Sequence, residues 1–540
     1  MVNTKSLKNQ TAQAENKAFH GSRAYSVFGS LWLKYRGTAI RLFITCWLIF
    51  VLHLATNTVR EIYPALSLGD HLSFDVSEYK GLHPDIFEVK GRGAFINNNP
   101  GASIMGAIPY VIARPAIDFI VTRVEQVRAR TPQAEPPEYK SPYPMAREFY
   151  KKAWEKGLDV KFGLAAGVMQ AFLMAPLSAL SAVLMFFVLL SLRFSERQSL
   201  TLALLYALAT PVFFRTGQLN QNLLACHFAF LAFVLLWRPW DSPSLLRRPR
   251  YFVAGLVCGW TVVLDYSGLV VVVCLALYAL LKRAALPEKA KARLDLVHFG
   301  LGILVCLGLL MAYQWRCFGS PFYPAQHYMP QTEFSIYGYS GIDWPRLDLL
   351  WDTTLGIRFG LFVSAPLLLL ALYIPGWFGR RRAIGKNETR LIAAFTLIFL
   401  LFCAANQYGR LQFNSGVRYA VPLIPFLFLI IAGIWRRFPP LAAGIIAIMA
   451  TYWSWSLAMY RDVEQGLGVL ESVIHVTFEG FRLPWVVTLE RLGYFPAGIS
   501  AVPILVLLFA VLGVLWQIRL SSRIDFEKPG PEHIRDEVKD

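Results

Sequence analysis

TAIRLFITCWLIFVLHLATN, residues 38–57, stays apolar for the thickness of a bilayer. Roughly 20 residues at about 1.5 Å rise each cross the roughly 30 Å hydrocarbon core, and a helix satisfies its own backbone groups there. The same kind of run recurs along the chain, at 162–192, 199–214, 222–237, 251–264, 268–281, 297–315, 356–378, 390–405, 419–435, 441–460 and 498–520. The pattern predicts an all-α polytopic membrane protein of about twelve transmembrane helices.

Clusters of Lys and Arg mark every second hinge. Lys5, Lys8, Lys17, Arg23, Lys34 and Arg36 precede the first run. Arg193 and Arg197 follow, then Arg238 to Arg250, Lys282 to Arg293, Arg380 to Arg382, Arg436 and Arg437, and finally Arg519 and Arg523. Short basic loops stay cytoplasmic, so all of these fall inside when the N-terminus is inside. The layout implies cytoplasmic tails at 1–37 and 521–540 around a membrane domain at 38–520, in a plasma (inner) membrane. The first run begins after nearly forty mostly polar residues and lacks a small-residue cleavage site, so it reads as a retained helix.

Composition agrees, at 55% hydrophobic and only 16% charged over 540 residues. The net charge of +18 sits at membrane-flanking hinges, and no basic helix with interleaved aromatics forms a nucleic-acid face, so nucleic acid is not an expected partner. Cys46, Cys226, Cys258, Cys274, Cys306 and Cys403 lie within apolar runs, and only Cys317 falls near the outer surface. No disulfide is expected, and no Cys/His spacing suits a metal.

Four segments of useful length are left outside: 58–161, 316–355, 406–418 and 461–497. The first far exceeds an ordinary connection. Within it, 103–121 is apolar at helical spacing but carries Arg114, Pro115 and Asp118, which predicts an interfacial or re-entrant helix. If it spanned instead, the later basic pattern would invert. Residues 131–144 read as an extended linker before a short amphipathic helix near 145–156.

The first outer loop supplies Glu61, Asp70, Asp75, Glu78, Asp85 and Glu88. A solvated acidic loop explains any one of them, but Glu61 stands at the membrane boundary, where partial desolvation suits a base. Residues 91–101, GRGAFINNNPG, form a turn rich in hydrogen-bonding groups, with Asn97 and Asn98 available to a polar substrate. Arg358 and Arg418 open apolar runs at their outer ends, where a guanidinium either snorkels or grips a phosphate. Asp265 marks a tight hairpin and reads first as a charged turn, and His227 as a packed residue within a span. Tyr323 and His327 lie on the second outer loop, within reach of a substrate.

At these residues the chain resembles the GT-C superfamily of integral membrane glycosyltransferases, particularly bacterial members related to protein mannosyltransferases and lipid A sugar transferases. The likeness rests on Arg60-Glu61-Ile62-Tyr63 opening a long first outer loop, Asn99-Pro100-Gly101 leading into an apolar helix, and Gly319-Ser320-Pro321-Phe322. It continues in Arg358-Phe359-Gly360-Leu361-Phe362 with Ser364 and Pro366, and in Arg418-Tyr419 with Pro422 and Pro425. The resemblance implies a sugar taken from a polyprenyl phosphate and an acidic base in the first outer loop, at Glu61 or Asp85. This chain has Val59-Arg60-Glu61 where many relatives carry Asp-Glu, and Asn98 or Asn99 where a Lys or Asp is common.

The layout by itself also favours a lipid-linked donor, because the apparent site is external and no Gly-rich phosphate cradle occurs on the inner side. The expected chemistry is transfer of one sugar to an envelope glycan or lipid acceptor, with Glu61 or Asp85 as base and Arg418, helped by Arg358, holding the departing phosphate. Asn97, Asn98, Tyr323 and His327 would bind sugar hydroxyls. No cofactor beyond the lipid-linked donor is expected. The alternative is a transporter or flippase for a lipid-linked or polar solute, which buried ionisable residues within spans would favour. A silent membrane scaffold using its outer loop to bind a partner is a third option.

Overall fold

The computed structural model describes residues 27–56, 59–130, 136–237, 247–284, 289–378, 382–410, 416–463 and 466–518. The tails at 1–26 and 519–540 lie outside them, as do Arg238, Arg380 and Arg381 of the basic hinges. The described chain is built almost wholly of helices, with one two-stranded sheet.

The α-helices of six residues or more are α1 (Val27–Leu52), α2 (Ile62–His71), α3 (Gly101–Ala129), α4 (Pro144–Glu155), α5 (Asp159–Ser191) and α6 (Glu196–Leu208). Next come α7 (Pro211–Thr216), α8 (Gln221–Trp237), α9 (Arg247–Leu264), α10 (Gly268–Ala284), α11 (Lys289–Phe318) and α12 (Leu347–Thr354). The last are α13 (Lys386–Ala405), α14 (Ile424–Trp435), α15 (Pro440–Met459), α16 (Val469–Glu479), α17 (Pro484–Arg491) and α18 (Val502–Gln517).

By length and composition, six helices among the described residues are able to cross a membrane: α1, α3, α5, α11, α13 and α15. Three shorter apolar helices, over Gln221–Trp237, Val421–Trp435 and Val502–Gln517, stand beside them. Two of the expected runs are broken by proline. Residues 199–214 divide at Thr210, which caps α7 by accepting a hydrogen bond from the Val212 amide, with Pro211 as its first residue. Residues 356–378 hold only the short helix Leu361–Ser364 and the tight turns Pro366–Leu372 and Ile374–Gly376, because Pro366 and Pro375 cannot donate to a continuing helix.

The first helices fix the direction of the bundle. Trp32 meets Phe187 at 5.8 Å, while the Gln170 amide donates to the Phe50 carbonyl at 2.7 Å, so α1 and α5 run antiparallel. Gln170 opens a π-helical turn, Gln170–Met174, inside α5. In the middle, α14 and, beyond its opening Gln221 and Asn222 and the packed His227, α8 carry no polar face and are buried nearly throughout.

α9 and α11 pack backbone to backbone. Gly255 and Gly259 are spaced as a small-residue seam. A Cβ at Gly255 would overlap the Phe299 carbonyl, and one at Gly302 would overlap the Phe252 carbonyl. Gly300 on the same helix faces open space. Gly302→Leu is therefore expected to cost about 1–3 kcal/mol through overpacking, read as a lower thermal midpoint, with Gly300→Leu close to wild type. Equal midpoints for the two variants would contradict this packing.

The segment after α1 is folded. Strands β1 (Ile86–Val89) and β2 (Gly93–Ile96) pair antiparallel with Ile86 opposite Ile96. The bend uses Gly91 and Gly93, at φ +73° and +119°. Asp75 anchors the hairpin by accepting from the Ala94 amide at 3.0 Å and the Ser77 hydroxyl at 2.6 Å. Burial opposes its charge, and these hydrogen bonds outweigh that and hold it below the usual carboxylate range. Arg92 at the tip donates to the Arg316 carbonyl at the end of α11.

α3 is a continuous 29-residue helix through Pro109 and Pro115. Its length and composition qualify it as a span, yet its contacts run obliquely. Gly106 lies against Met169, and Arg128 pairs with Asp159 at 2.7 Å. Residues 106 to 128 thus rise about 33 Å along α3 beside only about 15 Å of α5, at 1.5 Å per residue. The C-terminal end of α3 sits at the Asp159 end of α5, beyond the last turn of α1.

Candidate active site

One cavity, of about 1550 Å³, opens where the C-terminal ends of α1, α9, α11 and α15 meet the N-terminal ends of α8 and α10. It is lined chiefly from seven separate stretches: Arg60 to Asn99, Tyr139 to Tyr150, Gln218 to Asn222, Asp265 to Ser267, Phe322 to Ile342, Asn406 to Tyr419, and Arg461 to Arg491. Among the described residues, none of the basic hinges at Arg193, Arg197, Lys282, Arg283, Arg436 or Arg437 reaches it.

Of the six carboxylates from Glu61 to Glu88, only Glu61 and Asp85 line the cavity. The others hold the loop together. Asp70 accepts from Tyr110 Oη at 2.9 Å and pairs with Lys161 at 2.7 Å, Asp75 anchors the hairpin, Glu78 lies 3.6 Å from His71, and Glu88 pairs with Lys80.

Arg60 joins the two cavity carboxylates. Its Nη1 donates to Asp85 Oδ2 at 3.2 Å and to Asn97 Oδ1 at 2.8 Å, and its Nε lies 3.5 Å from Glu61 Oε1. Burial works against the guanidinium charge, but Glu61, Asp85 and Asp265 overcome it and hold Arg60 above its usual range. The Glu61 side chain is 7% exposed and the Asp85 side chain 31%, so Asp85 is the more open of the pair.

His83 stands beside them. Its Nδ1 accepts from the Asp85 amide at 3.1 Å, which leaves the proton of the neutral ring on Nε2. Burial pulls its pKa down to about 4, with Asp85 opposing and Arg60 and Arg418 adding repulsion. The folded chain then binds fewer protons here than the unfolded chain from pH 6.5 down to about 4. Stability rises with pH through that window and is lost on acidification. His83→Gln is expected to flatten the fall of thermal midpoint on acidification across that window. A profile as steep as wild type would show the ring to be uninvolved.

Arg418 lines the cavity with its guanidinium over Tyr419, 4.9 Å from the ring centre. The backbone just before it is fastened from below, because buried Arg215 donates to the Val417 carbonyl at 2.7 Å and to the Gly416 carbonyl. The Val417 amide in turn donates to Ser364 Oγ at 3.0 Å. Gly416, at φ +76°, has no room for a side chain against Ser364.

Several buried polar atoms on the wall have no partner within the protein. They are Asn98 Oδ1, Gln221 Oε1, both ends of the Asn222 amide, Ser267 Oγ and Tyr408 Oη. Such groups cost about 1–3 kcal/mol each when left unpaired, so a wall that collects them is prepared for a polar ligand. Among the described residues, no group of three or more His, Cys, Asp or Glu is arranged to hold a metal ion.

The cavity therefore unites Glu61, Asp85, Asn97, Asn98 and Arg418 from the sequence reading, and excludes three others. Arg358 is exposed outside it, beside Gly468. Tyr323 and His327 stack on each other at 4.5 Å and do not line it, although Phe322, Pro324 and Gln326 around them do. Asp265 is both turn and wall: Oδ1 accepts from the Ser267 amide, and Oδ2 from the Gln221 amide at 2.7 Å. His227 is packed, bonded to Ser178 at 2.9 Å. All seven cysteines are free and buried, Cys317 included.

Sequence reasoning missed His83, Gln221, Asn222 and Arg461. The run Gln218-Leu219-Asn220-Gln221-Asn222, a polar cluster at the mouth of an apolar helix, was a legible signal for two of them. Compared with protein-family models, with curated proteins and with solved structures, the chain matches none.

Proposed function

We propose that the protein is a membrane glycosyltransferase of the GT-C kind, which moves one sugar from a polyprenyl-phosphate donor to an acceptor at the extracytoplasmic face. The observation that carries the reading is convergence: the paired carboxylates Glu61 and Asp85, the arginines Arg60 and Arg418 and several unpartnered amides gather in one cavity from connections far apart in sequence. In a topology of about twelve crossings these connections lie at the end of the bundle opposite the short basic hinges, which the positive-inside rule keeps inside. Both tails are then cytoplasmic, and α3 lies along the outer boundary.

The roles follow from position. Asp85, the more open carboxylate, takes the proton of the acceptor hydroxyl as its oxygen bonds to the anomeric carbon. The bond from that carbon to phosphate oxygen breaks with inversion, and the electron pair leaves with the polyprenyl phosphate. Arg418 holds the charge that builds on that phosphate. Glu61 balances Arg60, and Arg60 orients Asp85. Asn98, Gln221 and Asn222 take sugar hydroxyls. The volume exceeds the roughly 300–1,000 Å³ of a common small-molecule site and leaves room for donor and acceptor together.

Against a transporter stands the lining itself, which among the described residues comes from one end of the bundle. The test is transfer in membranes holding the protein, using a panel of hexosyl and pentosyl polyprenyl phosphates and mass analysis of the glycolipid and glycan products. Movement of a donor or solute across sealed vesicles without any transfer would reject the enzyme reading.

A further inference from the structure

The cavity has a second wing, made by the end of α15, by α16 and α17, and by the chain leading into α4. Its chemistry differs from that of the first. Charges here are paired with one another: Asp462 with Arg491 at 2.6 Å, Glu490 with Arg482 at 3.6 Å, and Glu479 with His475. Between them stand flat rings. Tyr460 and His475 stack at 4.1 Å and 12°, and Tyr139 stacks on Tyr150 at 4.0 Å with Arg491 over it. All of these side chains line the cavity.

Where the two wings meet, Arg461 is 6% exposed and has its Nε unpartnered. Its Nη1 donates to the Phe214 carbonyl at 2.9 Å and its Nη2 to Gln218 at 3.3 Å. Arg461 lines the cavity, and a buried donor without a partner calls for an acceptor atom beside it.

We infer that this wing binds the acceptor, and that the acceptor presents an uncharged polyhydroxylated chain, a glycan, rather than a phosphorylated lipid. The inference rests on the transferase reading for the word acceptor, but not for the binding itself. Carboxylates already neutralised by arginine still accept hydrogen bonds from hydroxyls, and their guanidinium partners still donate. The apolar C–H face of a sugar ring lies well on a flat aromatic ring, which supplies contact area at low conformational cost. An anionic acceptor would need an open guanidinium fork, whereas Arg482 and Arg491 are engaged by carboxylates. Arg461 commits Nη1 and Nη2 to the Phe214 carbonyl and Gln218, which leaves Nε with a single N–H, suited to one neutral oxygen. Exposed Lys140 lies at the rim. Such a wing also lets the acceptor end point at Asp85 while its remaining units trail toward water.

The experiment uses the full-length protein in nanodiscs, without donor. Saturation-transfer NMR reads binding of neutral hexasaccharides (maltohexaose, chitohexaose, mannohexaose) and of a phosphoglycerol hexamer. The expected result is binding of at least one neutral probe, weakened at least tenfold by Tyr460→Ala and by Asp462→Asn, and unchanged by Arg418→Ala. Tyr460→Leu, which keeps the bulk of the side chain and removes the ring, should behave as Tyr460→Ala and guards against a folding defect. The inference is overturned if no neutral probe binds, if the Tyr460 variants bind as wild type does, or if only the phosphoglycerol hexamer binds. Because the donor is absent, glycan binding by a protein that transfers no sugar would uphold this wing while rejecting the transferase reading.

Discussion

Replacing Arg418 with alanine should lower sugar transfer by about 10²–10³-fold, the usual loss when a fixed donor to transition-state charge is removed. The leaving phosphate gains negative charge as the anomeric bond lengthens, so the guanidinium binds the transition state more tightly than the intact donor. The loss should accordingly fall mainly on kcat and less on KM. Arg418→Lys should recover only part of it, because a point charge does not reproduce the two-pronged geometry that suits phosphate oxygens. Arg358→Ala, outside the cavity, should leave the rate within a factor of two to three. The measurement is steady-state transfer in proteoliposomes at matched protein content. Equal rates for Arg418→Ala and Arg358→Ala would remove Arg418 from the mechanism.

The second large effect concerns the carboxylates. Asp85→Asn keeps the shape and the contact with Arg60 but removes the base, and is expected to cost about 10²–10⁴-fold in kcat. Glu61→Gln should cost less, because Glu61 is expected to act through Arg60. Its replacement leaves a buried guanidinium with one carboxylate partner in place of two. The ordering of the two variants decides which carboxylate is the base. A larger loss for Glu61→Gln would exchange their roles. Arg60→Ala separates pairing from chemistry, because it leaves two unpaired carboxylates in a partly dry wall and should lower stability as well as rate.

Most of the helical architecture could be read because a run of twenty apolar residues has few places to go. The errors fall where punctuation inside such a run was passed over. Pro211 splits 199–214, and Pro366 and Pro375 leave 356–378 as a string of tight turns. These prolines were visible, but mean hydropathy does not weigh them. For 103–121, charge and proline content argued for an interfacial helix, whereas α3 is by length and composition able to cross a membrane.

The site was legible by type and not by selection. Arg358 and Arg418 have the same local context, each opening an apolar run, and only the path of the chain through space decides which one meets Glu61 and Asp85. In the same way, nothing local distinguishes Asp70, locked by Lys161 and Tyr110, from Asp85. His83 could not be found from sequence, since its place depends on a hairpin that an aspartate eight residues earlier holds in shape.

Arg215 grips the two carbonyls just ahead of Arg418 from inside the bundle. The cation proposed to hold the departing phosphate is thus mounted on a backbone fastened before anything binds, so association there should give up little chain freedom. Changes at Arg215, a residue facing away from water, should then be felt as faster release of the lipid carrier, a lesion at the surface whose origin is in the core.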